Sequence, residues 1–107
     1  MANGPYTQEG IMSQIFVAFG QGTGAIRVSQ DAAVTLRTLY YVAITANVIA
    51  QWDACAAQVL ERIRAIGRLA ALTATQRGDT TIVPTDVETS AALVQKTSMT
   101  DFCPPIP

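Results

Sequence analysis

Few side chains in this sequence could carry out acid–base, metal or nucleophilic chemistry. Histidine is absent, which removes the commonest general base and metal ligand. The carboxylates Asp53 and Glu61 are two helical turns apart, rather than at the i, i+3 or i, i+4 spacing that would suit a shared metal ion. We therefore predict no catalytic residues, no metal site and no cofactor, and we do not expect the protein to be an enzyme.

The two cysteines, Cys55 and Cys103, are the remaining candidates for nucleophilic or redox chemistry. They form no C-x-x-C pair, and without histidine they cannot complete a zinc site. A disulfide between them would close a loop of about 49 residues, but the sequence favours two free thiols in a reducing compartment. Cys55 lies on an alanine-rich stretch without basic neighbours, which is typical of a small core residue rather than a reactive one.

Three glycines, Gly20, Gly22 and Gly24, form a G-x-G-x-G run of the kind found in phosphate-binding loops. No strand is predicted before the run, and no lysine follows it to hold a phosphate. We interpret the run as a flexible hinge, with Gly20 as the left-handed residue that ends the first helix.

The charge balance limits the partners of the protein. The 107 residues carry a net charge of −1, and only 14% of them are charged while 50% are hydrophobic. The one cationic cluster, formed by Arg62, Arg64 and Arg68, lies beside Glu61 and is typical of a solvated helix face. Because proteins hold nucleic acid by neutralising phosphates with a basic surface, we do not expect this chain to bind nucleic acid alone.

The spacing of apolar residues predicts a single all-α domain over residues 1–107, with an N-terminal arm at 1–5. A first short helix is predicted within residues 6–19, where apolar side chains recur at helical spacing. Ser29 is the predicted N-cap of the next helix, because its hydroxyl can accept a hydrogen bond from the first helical turn.

A short C-terminal helix is predicted after the extended, β-branched residues 80–83. Thr85 and Glu88 have the spacing of a capping box at its start. The residues at 99–107 are rich in proline and predict an extended, polyproline-like tail. Such a tail could anchor on a neighbouring subunit through two apolar side chains, Phe102 and Ile106.

Between Ser29 and Arg77 there is no proline and only one glycine, Gly67. Apolar residues recur there at alternating steps of three and four, which predicts one very long central helix with a heptad seam. We predict that this seam is an association surface formed by Leu39, Val42, Ala46, Ile49, Ala56, Leu60, Ile63 and Ala70. A helix of about 48 residues would be about 70 Å long, so it either kinks at Gly67 or packs against another chain.

Asp53 interrupts this seam with a carboxylate. A polar residue in a seam can fix the register or the oligomeric state of associating helices. Alternatively, a small rotation of the helix turns Asp53 towards water. Both interpretations stay open from the sequence.

The stretch from Leu39 to Trp52 is the most hydrophobic part of the chain and lies between Arg37 and Asp53. It is shorter than the ~20 residues that span a bilayer, so a membrane partner is not expected. The N-terminal residues lack the basic and apolar regions of a signal peptide. We expect a location in the cytoplasm or within an assembled particle.

Two stretches carry a resemblance to a known family: GAIRVSQDAAVTL at 24–36 and GDTTIVPTDVETSAAL at 78–93. The chain as a whole is predicted to run short helix, loop, long helix, loop and capped short helix. With these two stretches at its loops, it resembles the histone fold, in particular the small archaeal histones. The resemblance implies that Arg27 approaches DNA from the first loop and Thr81 contacts its backbone from the second. It also implies that Asp86 pairs with an arginine of the second loop.

The chain departs from the histone pattern in its charges. Asp79 and Thr80 stand where the family has a basic pair after the loop glycine, so the loop that would face DNA has lost its positive charge. The arginine partner of Asp86 is missing unless Arg77 reaches it. We therefore expect Arg27 to bind a carbonyl or an acidic side chain rather than a phosphate.

These observations predict a non-enzymatic structural subunit that associates with copies of itself or within a larger complex, for example a virion or an accessory complex. Two alternatives come from other classes of protein. One is a histone-type module that works on nucleic acid or in transcription with a basic partner. The other is a small helical subunit at a membrane.

Overall fold

The computed structural model describes residues 6–94, and within them the fold is all-α, as predicted. The predicted arm at 1–5 and tail at 99–107, with Phe102 and Ile106, lie outside the described residues. A 3₁₀ turn at Tyr41–Ala43 separates the second helix from the third. The helices are α1 (Gln8–Thr23), α2 (Gln30–Tyr40), α3 (Ala46–Ala50), α4 (Trp52–Gln76) and α5 (Pro84–Val94), and two short strands are β1 (Arg27–Val28) and β2 (Thr81–Ile82).

Hydroxyl side chains cap three of the helices. The predicted cap at Ser29 is confirmed, because its Oγ accepts a hydrogen bond from the Ala32 amide at 3.0 Å. Thr7 caps α1 in the same way, accepting from the Gly10 amide at 3.0 Å. Thr45 caps α3 by accepting from the Val48 amide at 3.4 Å. Each cap satisfies an amide that has no partner within its own helix.

The predicted ends of two helices are corrected by the structure. Gly20 lies inside α1, which continues to Thr23 and stops at Gly24, where a φ of 66° suits glycine. The capping box of Thr85 and Glu88 does not form, because α5 already begins at Pro84. Proline is favoured at the first helical position, since the amide that it lacks would have no helical partner there.

The helix predicted from Ser29 to Arg77 is interrupted between Tyr40 and Trp52. Ile44 leaves the helical conformation with φ −81° and ψ 78°, and its side chain is buried. Thr45 then starts a new helix, because its hydroxyl offers the backbone a cap in place of a helical turn. The long central helix is α4, with 25 residues. It continues through Gly67, so the kink that was one of the two alternatives there does not occur.

Gly67 and Gly22 mark the place where α4 and α1 cross with their backbones in contact. A Cβ atom on Gly67 would lie 2.4 Å from the carbonyl oxygen of Phe19 and 3.1 Å from Cα of Gly22. A Cβ atom on Gly22 would lie 2.1 Å from the carbonyl oxygen of Arg64. Only glycine fits at either position, so Gly67 is a packing residue rather than a hinge.

The core lies on both sides of α4. The helix α1 packs along one side of α4 and α5 along another, while α2 packs against α5. Side chains from each of these helices are buried, including Trp52, whose Nε1 donates a hydrogen bond to Gln14 Oε1 at 3.1 Å. Apart from Gly67, the buried residues of α4 recur at steps of three and four: Trp52, Cys55, Val59, Ile63, Ile66, Ala70 and Ala74.

The strands β1 and β2 pair in parallel, with Arg27 opposite Thr81 and Val28 opposite Ile82. Each strand connects two helices, so that α1–β1–α2 and α4–β2–α5 are two helix–strand–helix units joined edge to edge. The pairing confirms the extended backbone predicted around Thr81. It also brings the starts of α2 and α5 to the same end of the molecule.

We predict that Gly67→Ala lowers the free energy of unfolding by about 3 kcal/mol, because the added methyl group must push the α1 and α4 backbones apart. The matched control is Gly20→Ala, at a helical position where a Cβ atom meets nothing within 4 Å. That change should raise the free energy of unfolding by about 0.5–1 kcal/mol. Urea denaturation followed by far-UV circular dichroism measures both. Equal effects of the two substitutions would contradict the close crossing.

Candidate functional site

Arg27 and Thr81, the two predicted nucleic-acid contacts, are brought together by the parallel strands, where they lie opposite each other. The side chain of Arg27 is exposed, and that of Thr81 is half-buried. Arg27 and Asp79 both line a shallow depression of about 460 Å³ between the two loops. The surface where the histone pattern would face DNA therefore contains a carboxylate, Asp79, as well as Arg27.

Arg77 reaches Asp86, so the pair implied by the resemblance is present. The guanidinium of Arg77 donates hydrogen bonds from Nη1 to Oδ1 and from Nη2 to Oδ2 of Asp86, the second at 2.9 Å. Asp86 is fully buried, and its Oδ2 also accepts from the Val83 amide at 2.9 Å. The Nε of Arg77 donates to Asp79 Oδ2 at 2.7 Å.

These contacts set the ionisation of the buried carboxylate. The hydrogen bonds from Arg77 hold the pKa of Asp86 below its ordinary value, although burial acts in the opposite direction. The same contacts raise the pKa of Arg77. Arg77 is thus hydrogen-bonded to both Asp86 and Asp79, and it connects the end of α4 to the start of α5.

The guanidinium groups of the cationic cluster on α4 are bonded within the chain, and one carboxylate, Glu61, offsets part of their charge. Arg64 donates to Glu61 Oε1 at 3.1 Å and to Gln21 Oε1 at 2.8 Å. Arg68 lies 3.6 Å from the other oxygen of Glu61. Arg62 donates from Nη1 to the carbonyl oxygen of Val94 at 2.9 Å. Glu61 thus pairs with two of the three arginines, Arg64 and Arg68, and Arg62 is held by a backbone carbonyl.

The predicted association surface is divided by the fold. Ile49, Ile63 and Ala70 are buried in the core of this chain and are not available to a second chain. Ala56 and Leu60 are half-buried, and the remaining three residues are exposed. Those three are Leu39, Val42 and Ala46, at the break between α2 and α3.

Together with Val34 and Ala50 they are the exposed apolar residues of this part of the chain, which we call the α2–α3 surface: Val34, Leu39, Val42, Ala46 and Ala50. Val42 is 77% exposed and Val34 is 56% exposed. No charged residue occurs from 38 to 52. Val34 was missed from the sequence because it falls outside the heptad spacing, although its place on the solvent side of α2 follows from the buried Ala32 and Leu36.

A polar cluster at the edge of the α2–α3 surface holds it in place. Arg37 donates from Nη2 to Glu9 Oε2 at 2.8 Å, and Tyr41 donates its hydroxyl to the same oxygen at 2.9 Å. The guanidinium of Arg37 also lies over the Tyr41 ring, 4.1 Å from its centroid. Hydrogen bonds from Arg37 and Tyr41 lower the pKa of Glu9. Together they tie the start of α1 to the end of α2.

Asp53 does not lie between helices of this chain. It is exposed in the first turn of α4, where a negative charge interacts favourably with the helix dipole. Its Oδ1 accepts a hydrogen bond from the hydroxyl of Tyr6, and this bond raises the pKa of Tyr6. The structure thus agrees with the interpretation in which the helix is rotated and Asp53 meets water.

Cys55 corrects the prediction of free thiols. Its side chain is buried, at 3% exposure, and its sulfur is in a disulfide. Within residues 6–94, no group of three or more histidine, cysteine, aspartate or glutamate side chains could hold a metal ion. Within the same residues, no helix is both long and apolar enough to cross a bilayer.

Comparison with known proteins adds no relative from which a role could be transferred. No protein-family model, no curated protein and no solved structure matches the chain. The α2–α3 surface, the Arg27–Thr81 pair and the Arg77–Asp86 ion pair are therefore the features from which a function can be argued.

We predict that Asp86→Asn lowers the free energy of unfolding by about 2–3 kcal/mol at pH 7, because it removes charged hydrogen bonds from a buried site. The matched control is Asp79→Asn, which removes the exposed partner of Arg77 and should cost much less. Urea denaturation at pH 7 measures the difference. Equal losses in the two variants would contradict the leading role of Asp86.

The same pair makes stability depend on pH. Because the pKa of Asp86 is lower in the folded than in the unfolded state, its contribution is complete above the unfolded value of about 4. It is lost as the pH falls through the folded value. Urea denaturation between pH 7 and pH 2.5 should show a smaller acid-side loss in Asp86→Asn than in the wild type. Parallel pH profiles would refute this origin of the acid sensitivity.

Proposed function

We propose that this protein is a non-enzymatic assembly subunit, which associates with copies of itself through the α2–α3 surface. A virion or an accessory complex is the kind of assembly that such a subunit would serve. The single observation that carries the proposal is Val42, which is 77% exposed within the uncharged residues 38–52. An exposed apolar patch of this kind, bordered by polar groups, is typical of a surface that binds protein.

The energetic argument rests on the size of the exposed side chains. Fully burying a valine or leucine side chain that was exposed contributes about 1.5–3 kcal/mol. Leu39 and Val42 are three residues apart and both well exposed, so covering these two together would provide part of an association free energy. The break at Ile44 supports the proposal, because it turns α3 aside and leaves Val42 projecting from the 3₁₀ turn.

The charge pattern favours a second copy over a charged partner. In a two-fold symmetric interface the same patch meets itself, so any charge in its centre would face a like charge. The α2–α3 surface has no charged residue around Val42, and Glu9 and Arg37 at that edge neutralise each other. Two such surfaces can therefore meet without electrostatic repulsion.

A second candidate function is a histone-type module that works on nucleic acid with a basic partner. The observation that favours it is the register of the strands, which places Arg27 beside Thr81. Asp79 in the same depression weighs against binding by the chain alone. A partner that adds positive charge at this end of the molecule would remove that obstacle.

We predict that Val42→Asp dissociates the self-assembled protein, because the carboxylates of two copies would meet in an apolar interface. The wild type should show the mass of a dimer or a larger species in light scattering, and the variant that of a monomer. Helicity should be unchanged, since Val42 is mostly solvated within one chain.

The matched control for Val42→Asp is Leu72→Asp, an equally drastic change at another exposed apolar residue, on α4. It should leave the mass of the assembly unchanged. A wild-type protein that is monomeric at every concentration, or loss of assembly in both variants, would contradict the proposed interface.

We also predict that the chain alone does not bind duplex DNA, even at about 50 mM salt, where phosphate contacts are strongest. Fluorescence anisotropy with a labelled duplex measures this. Binding that falls steeply with added salt and is weakened by Arg27→Ala would overturn the prediction and favour the second candidate.

A further inference from the structure

The two helix–strand–helix units of the chain are joined through residues 41–51, which we call the break. The first unit is α1–β1–α2 and the second is α4–β2–α5. Across this boundary α1 packs along α4, β1 pairs with β2, and α2 packs against α5. Side chains also cross it, since Gln21 Oε1 accepts a hydrogen bond from Arg64 Nε at 2.8 Å. A first unit that left its own second unit would therefore need another second unit to cover it.

The backbone of the break is compatible with a continuous helix. Residues 25–66 contain neither proline nor glycine. Within residues 6–94, glycines alone have a positive φ. Ile44 and Gln51 leave the helical conformation at φ −81° and −105°, so both can return to it without a steric conflict. Thr45 favours the break, because its hydroxyl accepts a hydrogen bond from the Val48 amide at 3.4 Å.

Two rows of apolar residues continue through the break at helical spacing. The first row is buried and leads from the core face of α2 to that of α4: Leu36, Tyr40, Ile44, Val48 and Trp52. The second row is exposed: Leu39, Val42, Ala46 and Ala50. Residues three and four apart lie on the same side of a helix. A continuous helix would therefore join the two core faces and present the second row as one uncovered apolar face.

Such a helix would not fit within one molecule. From Gln30 to Gln76 it would be about 70 Å long, whereas the described part of the chain extends 47 Å along its longest axis. The two units would then lie at opposite ends of the helix and could not meet each other. In a pair of chains, however, the first unit of each can pack against the second unit of the other, with the same contacts and the same strand register.

We propose that two copies of this chain associate by exchanging their first units, with residues 30–76 of each copy forming one continuous helix. The two long helices cross at a two-fold axis. Leu39, Val42 and Ala46 of one copy meet the same residues of the second copy there. This inference rests on the proposed self-association and states how the two copies meet.

The balance between the closed chain and the exchanged pair depends on the break, because the contacts between the units are the same in both. The closed chain leaves Val42 77% exposed and Leu39 41% exposed, and the crossing of the long helices covers both. The cap at Thr45 and the burial of Ile44 favour the closed chain. Association also costs translational freedom. The exchanged pair should therefore form as the protein concentration rises.

The first test places a disulfide across the paired strands. Arg27→Cys and Thr81→Cys are combined in a chain whose own cysteines are replaced by Cys55→Ala and Cys103→Ser. Opposite residues of neighbouring strands lie about 4.8 Å apart, which is within the range of about 4.4–6.8 Å that a disulfide spans between Cα atoms. The dimer from size-exclusion chromatography is treated with oxidised glutathione and run on a denaturing gel without reductant. We expect covalent dimers, since each strand pair joins two chains.

The outcomes of this test separate the exchange from the self-association. The single variant Arg27→Cys should run as single chains, because the exchange places residue 27 of one copy beside residue 81 of the other. A double variant that is dimeric in light scattering, but runs as single chains with its cysteines bonded, would refute the exchange and leave the self-association standing. A wild type that is monomeric at every concentration would refute both.

The second test keeps the native cysteines and changes the break. Ala46 is the first residue of α3 and follows Thr45, which is extended at φ −82° and ψ 171°. Both positions suit Ala46→Pro in the closed chain. In a continuous helix the proline ring would clash with the carbonyl group of Val42. The variant should be a folded monomer whose dimer dissociation constant is at least about 100-fold higher in light scattering. A dimer of unchanged affinity would refute the exchange.

Thr45→Ala should act in the opposite direction, because it removes a cap that only the closed chain contains. We expect the dimer dissociation constant to fall about tenfold. The matched control is Ser29→Ala, which removes a cap that both forms contain. It should lower the Tm and leave the dissociation constant within about twofold of the wild type. A weaker dimer in Thr45→Ala, or equal changes in the two variants, would contradict the exchange.

Discussion

The contact between Gly22 of α1 and Gly67 of α4 is the constraint on which the rest of the structure depends. Because neither residue has a side chain, the two helices approach until backbone meets backbone. This closeness brings the apolar residues of α1 against those of α4, and it determines where the chain emerges from α1. The strand β1 then reaches β2, and α2 is placed against α5.

Two clusters of polar side chains connect the helices at different places in the fold. The protein surface next to each cluster has a different character. At the end formed by the strands, Arg77 joins Asp86 and Asp79, and the neighbouring surface is small and mixed in charge. At the other cluster, Glu9 joins Arg37 and Tyr41, and the neighbouring α2–α3 surface is apolar. This contrast supports the proposed association surface better than apolar content does, because apolar residues are spread over the whole chain.

The sequence predicted the helical class, the cap at Ser29 and the extended backbone at Thr81, since each depends on residues close together in the chain. The break at Ile44 was not predicted, because Leu39, Val42, Ala46 and Ile49 keep a helical spacing across it. Gly67 was interpreted as a kink, since the glycine that it contacts is 45 residues away. The ion pair between Arg77 and Asp86 followed only from the resemblance to histones. The disulfide of Cys55 depends on which parts of the chain meet in the fold, which the sequence does not show.

The parallel pairing of β1 with β2 has a consequence for how the chain folds. The partners Arg27 and Thr81 are 54 residues apart, and α1 meets α4 across a similar separation. Folding must therefore close a large loop before its main contacts form, which predicts slow folding for a helical protein of this size. The loop around Ile44 is also a natural point of division. Fragments cut there would each lack the partner helices of their apolar faces and would fold only by complementing each other.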